Sequence, residues 1–330
     1  MNTKPYILVT GATGGLGRNL VEYLLSVGNH VVAIGRNQNI GKQLQFQGAT
    51  FISTDIRNEI HIEKSLGTCL AIIHCAALSK PWGKYLDFYI TNVVGTKNVI
   101  ELAYKKDCPL IHISTPSVYF DFRDRLNISE NDPLSNQFAS FYTETKKLAE
   151  DLVIGASNMI KSVILRPRGI FGPYDKEFIP RVSRIASRGY FPLIRNGDPI
   201  VDITYVENVV DAIMLSLSNI ETVSGQIFNI TNNQPLKIQN ILDILFDALK
   251  VKVRLIKVKY SLLKSVTAIM ELTSKLTNYA FEPPITSYTL GLLSYSQTLN
   301  IHNAQTLLKF KPSVSIEEGI NRFAKWFSHG

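Results

Sequence analysis

An α/β fold, a doubly wound parallel sheet carrying a smaller and mostly C-terminal α/β unit, is predicted by three observations. The first half of the chain alternates short β-branched runs with amphipathic stretches of helical period. A glycine-rich turn follows the first of those runs at once. At 330 residues the chain has room for two units at about 150 residues per domain.

Taken in order, strands are expected at 6–10, 30–35, 50–53, 71–75, 110–115 and 162–166. Helices separate them, most clearly at 16–27, 86–105 and 141–154. After Pro167 the rhythm breaks, and Pro173, Pro180, Pro192 and Pro199 punctuate loops and one short helix near 181–188. Runs at 200–204 and 226–230 read as strands returning briefly to the sheet, with a helix over 206–217 between them. From Pro235 helices alternate with short extended pieces and end in a helix at 316–327. Residues 1–168 with 200–231 are assigned to a nucleotide-binding unit, and 169–199 with 232–330 to a substrate-binding unit.

Composition excludes several classes. Apolar residues at 45% and charged residues at 19% are the balance of a globular chain, not a disordered or fibrous one. No run approaches the roughly 18 apolar residues of a membrane span, and no leader is expected before the strand at 6–10. Three cysteines (Cys69, Cys75, Cys108) without CxxC spacing suggest neither disulfides nor a metal site, and a cytoplasmic protein is expected. The sequons at Asn127 and Asn229 then carry no meaning. The net charge of +8 favours anionic ligands or surfaces, and the densest basic stretch spans 250–264. No zinc-finger or RNP-type motif accompanies it, so nucleic acid is not an expected partner.

The first turn reads Gly11-Ala12-Thr13-Gly14-Gly15-Leu16-Gly17 between a strand and a helix, the setting of a dinucleotide cradle and hence of a Rossmann-type sheet. Gly11 permits the tight turn, Gly14 a close approach of a pyrophosphate, and Gly17 the packing of helix on strand. Free amides at the helix N-terminus favour the anion. Thr13, Gly15 and Leu16 of the same turn are counted with the cofactor-binding residues. NAD enzymes of this design carry an acid about 20 residues further on. Here Arg36 stands 36 − 17 = 19 residues on, with no acid nearby in the sequence, so NADP(H) is preferred and NAD(H) is the alternative. Asp55, followed by Ile56, reads equally as an acceptor for the adenine amino group or as the cap of a helix beginning near Asn58.

Tyr142 and Lys146 stand at i and i+4, one turn apart on one helical face. An adjacent cation lowers the pKa of a phenol and makes it a usable acid–base near neutrality. The spacing alone is uninformative, because 14 tyrosines produce such pairs by chance and Tyr260/Lys264 repeats it. Position after the fifth strand singles out Tyr142. That strand ends in Ser114-Thr115-Pro116-Ser117-Val118-Tyr119, at the sheet edge where ligands bind in open α/β folds.

With these residues on hand, the chain resembles the extended short-chain dehydrogenase/reductase family, also called NAD-dependent epimerases/dehydratases, nearly end to end. The resemblance is carried by the glycine cradle, His74-Cys75-Ala76-Ala77, Asn92-Val-Val-Gly95-Thr96, Ser114-Thr115, Tyr142/Lys146 and Leu165-Arg-Pro-Arg-Gly-Ile-Phe-Gly-Pro173. Trp82-Gly-Lys-Tyr85, Ser114 to Val118, Arg166-Pro-Arg168, Val201 to Val206 and the blocks at Pro284 and Ser296 are similar to its 3β-hydroxysteroid dehydrogenase branch, which includes 2-alkyl-3-oxoalkanoate reductases and sterol 4-carboxylate decarboxylating dehydrogenases.

The resemblance implies that Thr115 orients the substrate oxygen, that Tyr142 moves the proton and that Lys146 binds the nicotinamide ribose. It implies further that Ala76 and Ala77 line the cofactor, that Asn92 supports the site, and that Pro167, Gly169 and Ile170 pass the nicotinamide. A homodimer through the helices holding Asn92 and Tyr142 is also implied. Pro116-Ser117 replaces the Asp-Glu pair of the family's dehydratases, so dehydration is not expected.

For the substrate, Trp82, Pro116, Tyr119 and Arg168 are the candidate contacts. Trp82, Tyr119 and Phe120 point to an apolar or aromatic ketone, whereas Arg168, Arg181 and Arg195 would suit a diphosphate. The stretch 261–281 has an apolar helical face after the basic run. It reads as a membrane-surface or lid helix, or as a cover for the substrate unit's core. The expected activity is hydride transfer between nicotinamide and a ketone or secondary alcohol of a hydrophobic β-keto acid or sterol-like compound. The alternatives are a sugar-nucleotide 4-epimerase and a non-catalytic NADP-sensing protein.

Overall fold

The computed structural model describes residues 4–175, 178–187 and 189–329. Its centre is a parallel sheet of seven strands: β1 (Tyr6–Thr10), β2 (His30–Gly35), β3 (Thr50–Ser53), β4 (Cys69–His74), β5 (Leu110–Ile113), β6 (Ser162–Pro167) and β7 (Ile227–Ile230). Their order is β7-β6-β5-β4-β1-β2-β3. The chain leaves β1 toward β2 and later returns to pair β4 on its other side. The crevice at the carboxyl ends of β1 and β4 is therefore the topological switch point, where an open α/β sheet binds its ligand.

Both faces of the sheet are covered, and this is why its strands are mostly apolar. Helices α1 (Gly15–Ser26) and α5 (Val206–Ser218) place Leu20, Val21, Leu24, Val209 and Ile213 against Val9, Ala33 and Ile73. On the other face α3 (Gly95–Lys106) and α4 (Phe141–Gly155) place Val99, Ala103 and Val153 against Leu8, Val32 and Ile72. Each such fully buried side chain contributes roughly 1.5–3 kcal/mol, so a charge at Val9 or Leu8 would break the sheet. Ile301, Ala304, Leu308 and Phe310 from near the C-terminus join the first of these cores. A third core gathers Phe171, Phe191, Ile241, Leu245, Ile316 and Phe323.

Helix α2 (Gln38–Phe46) is the helix expected between β2 and β3, and it forms although its sequence is polar and contains Gly41. Asn37 caps it, accepting from the amides of Asn39 and Ile40, and Gly41 is required because a Cβ there would stand 2.1 Å from the Phe51 ring. The helix expected near Asn58 does not form; residues 54–63 are turn and coil. The run at 200–204 also departs from expectation. It splits into Ile200–Val201, paired with Leu236–Lys237 and Gln297, and Thr204–Tyr205, paired with Ile170–Phe171, and neither piece joins the main sheet. Only the run near 226–230 returns to it, as β7.

Beyond β7 lie α6 (Ile238–Ala248), α7 (Tyr260–Leu276), α8 (Ser287–Ser294) and α9 (Ile316–His329). In α7 much of the apolar face is turned away from the core. Thr267 and Ser274 face inward and are sealed, whereas Leu262, Val266, Ile269, Leu272 and Leu276 face out, Leu276 being 77% exposed. No helix among the described residues is long and apolar enough to cross a membrane.

Candidate active site

The glycine turn is built as its spacing requires. Gly11 has φ +68° and a Cβ on it would lie 2.6 Å from the Ala76 amide nitrogen. Gly17 has even less room, since its Cβ would meet the Gly11 carbonyl oxygen at 2.2 Å. Gly14 begins α1 with no side-chain cap, so the first amides of that helix face the switch point without an acceptor from their own cap residue. A pyrophosphate fits this cradle: bare backbone donors, no Cβ in the way, and the helix dipole behind it. The Thr13 side chain lies over the space left by Gly35, and Gly15 runs beside the Tyr174 carbonyl. Leu16 is half-buried and packs on two cores, so its apolar side chain serves the fold.

At the far end of β2, Arg36 is 65% exposed and its guanidinium lies 3.6 Å from Asp55. The Asp55 side chain accepts from the amide and Nε of Arg57 at 3.0 and 2.9 Å. Burial raises the carboxyl's pKa, but the Arg57 bonds and the two guanidinium charges outweigh it and hold the value below the usual range. Asp55 closes a local turn with Arg57 and caps no helix. Ile56 is buried against Gly95.

Helix α4 brings Tyr142 and Lys146 to the end of β5. Ser140 caps it by accepting from the Thr143 amide, and Tyr142 follows in the first turn, half-buried. One turn later Lys146 is only 2% exposed. Its ammonium donates to the Ile113 carbonyl at 2.7 Å and to His112 Nε2 at 3.3 Å. Burial lowers the Lys146 pKa to about 8, against the opposing pull of Glu150 and Cys75. Burial also holds His112 well below its ordinary value and His74 at about 3, and the Lys146 charge adds to both shifts. Both imidazoles are therefore neutral, and His112 accepts from the ammonium through its Nε2 lone pair. His74 bridges Thr10 Oγ1 at 2.7 Å and Thr96 Oγ1 at 3.0 Å, the work of a strand residue and not of a base. The Cys75 thiol, pushed up to about 12 by burial, stays protonated.

Asn92 occupies a π-helical turn, Tyr89–Val94, that leads into α3. Its amide holds both backbone groups of Leu78, at 2.7 and 3.2 Å, and donates to Thr145 Oγ1 at 3.0 Å. It thus ties the Ala76–Ala77 stretch to the residue before Lys146. Thr115 is buried at the end of β5, accepts from the Ser117 amide and donates to Ser117 Oγ at 3.1 Å. Pro116 opens the short helix that Thr115 caps. Ser117 Oγ in turn lies 2.7 Å from the hydroxyl of Tyr288, which is near Thr143 beside Tyr142. Tyr288 was not anticipated as a site residue, because no local pattern links positions 117, 143 and 288.

Pro167 ends β6, and Gly169 follows at φ +55° with Ile170 half-buried after it. Arg168 is buried in the same turn. Trp82 donates to Ser274 Oγ at 2.9 Å, which fastens its loop to α7. Tyr119 differs from its expected role as a substrate contact. It is fully buried, and its hydroxyl is taken by Arg166 and by Asn229 Oδ1, so those contacts serve the core. Arg195 is committed to Asp124 and the Ser294 carbonyl. The side chain of Arg181 lies outside the described residues. Asn229, one of the two sequons, is completely buried.

This combination of a dinucleotide cradle, a Tyr–Lys pair on the helix after β5 and a Thr at that strand's end defines an extended short-chain dehydrogenase/reductase. Residues 8–259 match the 3-beta hydroxysteroid dehydrogenase/isomerase family. The chain belongs to that family and is an NAD(P)-dependent enzyme of the extended type. It is 35% identical to the uncharacterized protein YbjS of Escherichia coli (strain K12) over 98% of each chain. It is 28% identical to the 2-alkyl-3-oxoalkanoate reductase of Shewanella oneidensis over 96% of this chain and 85% of that one. With the decarboxylating sterol-4-alpha-carboxylate 3-dehydrogenase of Mus musculus it shares 29% identity over 97% and 90%. The fold matches the UDP-glucuronic acid 4-epimerase from Bacillus cereus in complex with NAD at a TM-score of 0.77 and 22% identity, over 98% and 96% of the two chains.

Proposed function

We propose that this chain reduces the ketone of a hydrophobic 3-oxo acid or sterol-like compound, or oxidises the corresponding secondary alcohol, with NADP(H) preferred. The observation that carries the reading is the Lys146 ammonium, buried under the edge of β5 one helical turn from Tyr142. A cation in that low-dielectric position favours a phenolate over a phenol, so Tyr142 gives or takes a proton near neutral pH. When bound, the nicotinamide supplies or receives the hydride. Tyr142 passes its proton to the carbonyl oxygen as the alcohol forms, Thr115 orients that oxygen, and Lys146 holds the ribose. Asn92 keeps the Leu78 backbone and Thr145 in place around them. The turn from Pro167 through Gly169 to Ile170 passes the nicotinamide.

The NADP(H) preference is supported by Arg36 and Arg57, two guanidiniums around the single Asp55 carboxylate, which leave net positive charge at the end of β2. The domain division at 168, 200 and 231 belongs to the same reading. So does a homodimer through α3 and α4, where Leu86, Tyr89, Tyr104 and Ile154 are exposed on or beside those helices. The outward apolar face of α7, with Lys250, Lys252, Lys257, Lys259 and Lys264 before and within it, supports peripheral contact with an anionic lipid surface.

The test is direct binding of NADPH against NADH, followed by absorbance at the nicotinamide band with a panel of 3-oxo acids and ketosteroids. Stoichiometric NADPH loss is expected, with NADPH bound at least about tenfold tighter than NADH. Equal affinity sinks the Arg36 reading. Retained cofactor with no net consumption identifies a 4-epimerase instead.

A further inference from the structure

Two arginines leave β6 side by side, and the fold treats them differently. Arg166 is sealed in the core and completely paired: Nε and Nη2 donate to the two Glu150 oxygens at 2.9 and 2.6 Å, and Nη1 reaches the Tyr119 hydroxyl. Arg168 is only 8% exposed, yet its Nε is cut off from solvent with no acceptor. Among the described residues no carboxylate forms an ion pair with it. Asp202 acts on it electrostatically but makes no ion pair with it; its Oδ2 accepts from the Leu299 amide at 2.8 Å, and burial pushes its pKa up to about 6. Gln297 Oε1, on the strand beside Val201, is a second sealed polar atom without a partner.

An unpaired buried guanidinium is costly, and the backbone that carries it is fixed on both sides. Its amide donates to the Ile230 carbonyl at 3.0 Å and its carbonyl accepts from Thr204 Oγ1 at 2.6 Å. The guanidinium is close enough to the Tyr288 hydroxyl to act on it electrostatically. That hydroxyl meets Ser117, next to Thr115 and Pro116, and lies near Thr143, next to Tyr142. The cation therefore borders the proposed proton-transfer site with no acceptor hydrogen-bonded to its Nε.

We propose that Arg168, with Tyr288 beside it, is the receptor for the carboxylate of the substrate, so that this site selects 3-oxo acids over neutral ketones. The proposal rests on the reductase reading above and deepens it. A carboxylate suits a lone guanidinium, because its two oxygens meet the planar fork and its single charge is fully compensated. A diphosphate would call for further cations, and Arg195 is held by Asp124. The packing next to Tyr288 is aromatic: Phe120 meets its ring edge-on at 6.4 Å and lies 5.0 Å from Phe122. In a 3-oxo acid one carbon separates the carboxylate from the ketone, so both ends fit one crowded corner.

The experiment uses the full chain with its preferred reduced cofactor, and compares freshly saponified 3-oxodecanoate with its methyl ester in wild type, R168K and R168Q. Wild type is expected to favour the acid at least ~100-fold in kcat/KM, and R168Q to bring that ratio to within ~3-fold. R168K, which keeps the charge and loses the fork, is expected to fall between them, and it serves if R168Q does not fold. A wild type indifferent to the ester, or an R168Q that loses acid and ester equally, overturns the assignment. Thermal stabilisation of the NADP⁺ complex by decanoate, which cannot be reduced, separates the two hypotheses. If neither keto compound turns over, the reductase reading fails. A decanoate shift present in wild type and lost in R168Q still upholds the anion site, and an equal shift in both removes it.

Discussion

Tyr142 and Lys146 in α4, and Tyr260 and Lys264 in α7, stand at the same spacing in two helices of one chain. In α4 the lysine is driven inward, sealed against Ile113 and His112 at the edge of the sheet. In α7 Lys264 is exposed to solvent, and the Tyr260 ring packs edge-on against Tyr295, 5.8 Å away, with its pKa raised to about 12 first by burial and then by that neighbour. One pair sets a buried cation one turn from its phenol, and the other an exposed cation. The surroundings matter, because a cation shifts a neighbouring phenol strongly only where water does not screen it.

The sharpest way to break this contrast is Tyr142→Phe. Turnover should fall on the order of 10³-fold while the coenzyme Kd stays within about twofold, as read by steady-state kinetics and fluorescence titration. Undiminished turnover would remove Tyr142 from the chemistry.

Lys146 tests the burial side of the comparison through pH. An ordinary lysine keeps its proton to about 10.5, whereas Lys146 loses it near about 8. Between those values the unfolded chain holds a proton that the folded chain has lost, so the fold gains stability as pH rises through the window. Relative to Lys146→Met, wild type should gain roughly 3 kcal/mol between pH 8 and pH 10.5 in urea melts. A flat difference would show that the ammonium is not buried.

The outward face of α7 predicts a smaller effect of a different kind. Replacing Ile269 and Leu272 by Glu should weaken sedimentation with phosphatidylglycerol vesicles about tenfold, with activity toward soluble substrate retained. Equal sedimentation would mean that the exposed stripe does not meet lipid. Smallest of all, Tyr260→Phe with Lys264→Ala should leave kcat/KM within about twofold of wild type. A loss comparable to that of Tyr142→Phe would abolish the distinction between the two helices.

The sequence alone determined the βαβ order, the glycine turn with its three specific demands, and the α4 pair placed after the fifth strand, because each rests on local periodicity or on a backbone need that only glycine meets. It also showed that α7 carries an apolar stripe, but not which way the stripe faces. That was settled by tertiary packing, which turned Thr267 and Ser274 inward. Contact between distant residues likewise gave Tyr119 to Arg166, joined Ser117 to Tyr288, and sealed Arg168 without a counter-ion. Burial and pairing are properties of neighbours in space, and residues 47 to 171 positions apart leave no periodic trace of meeting.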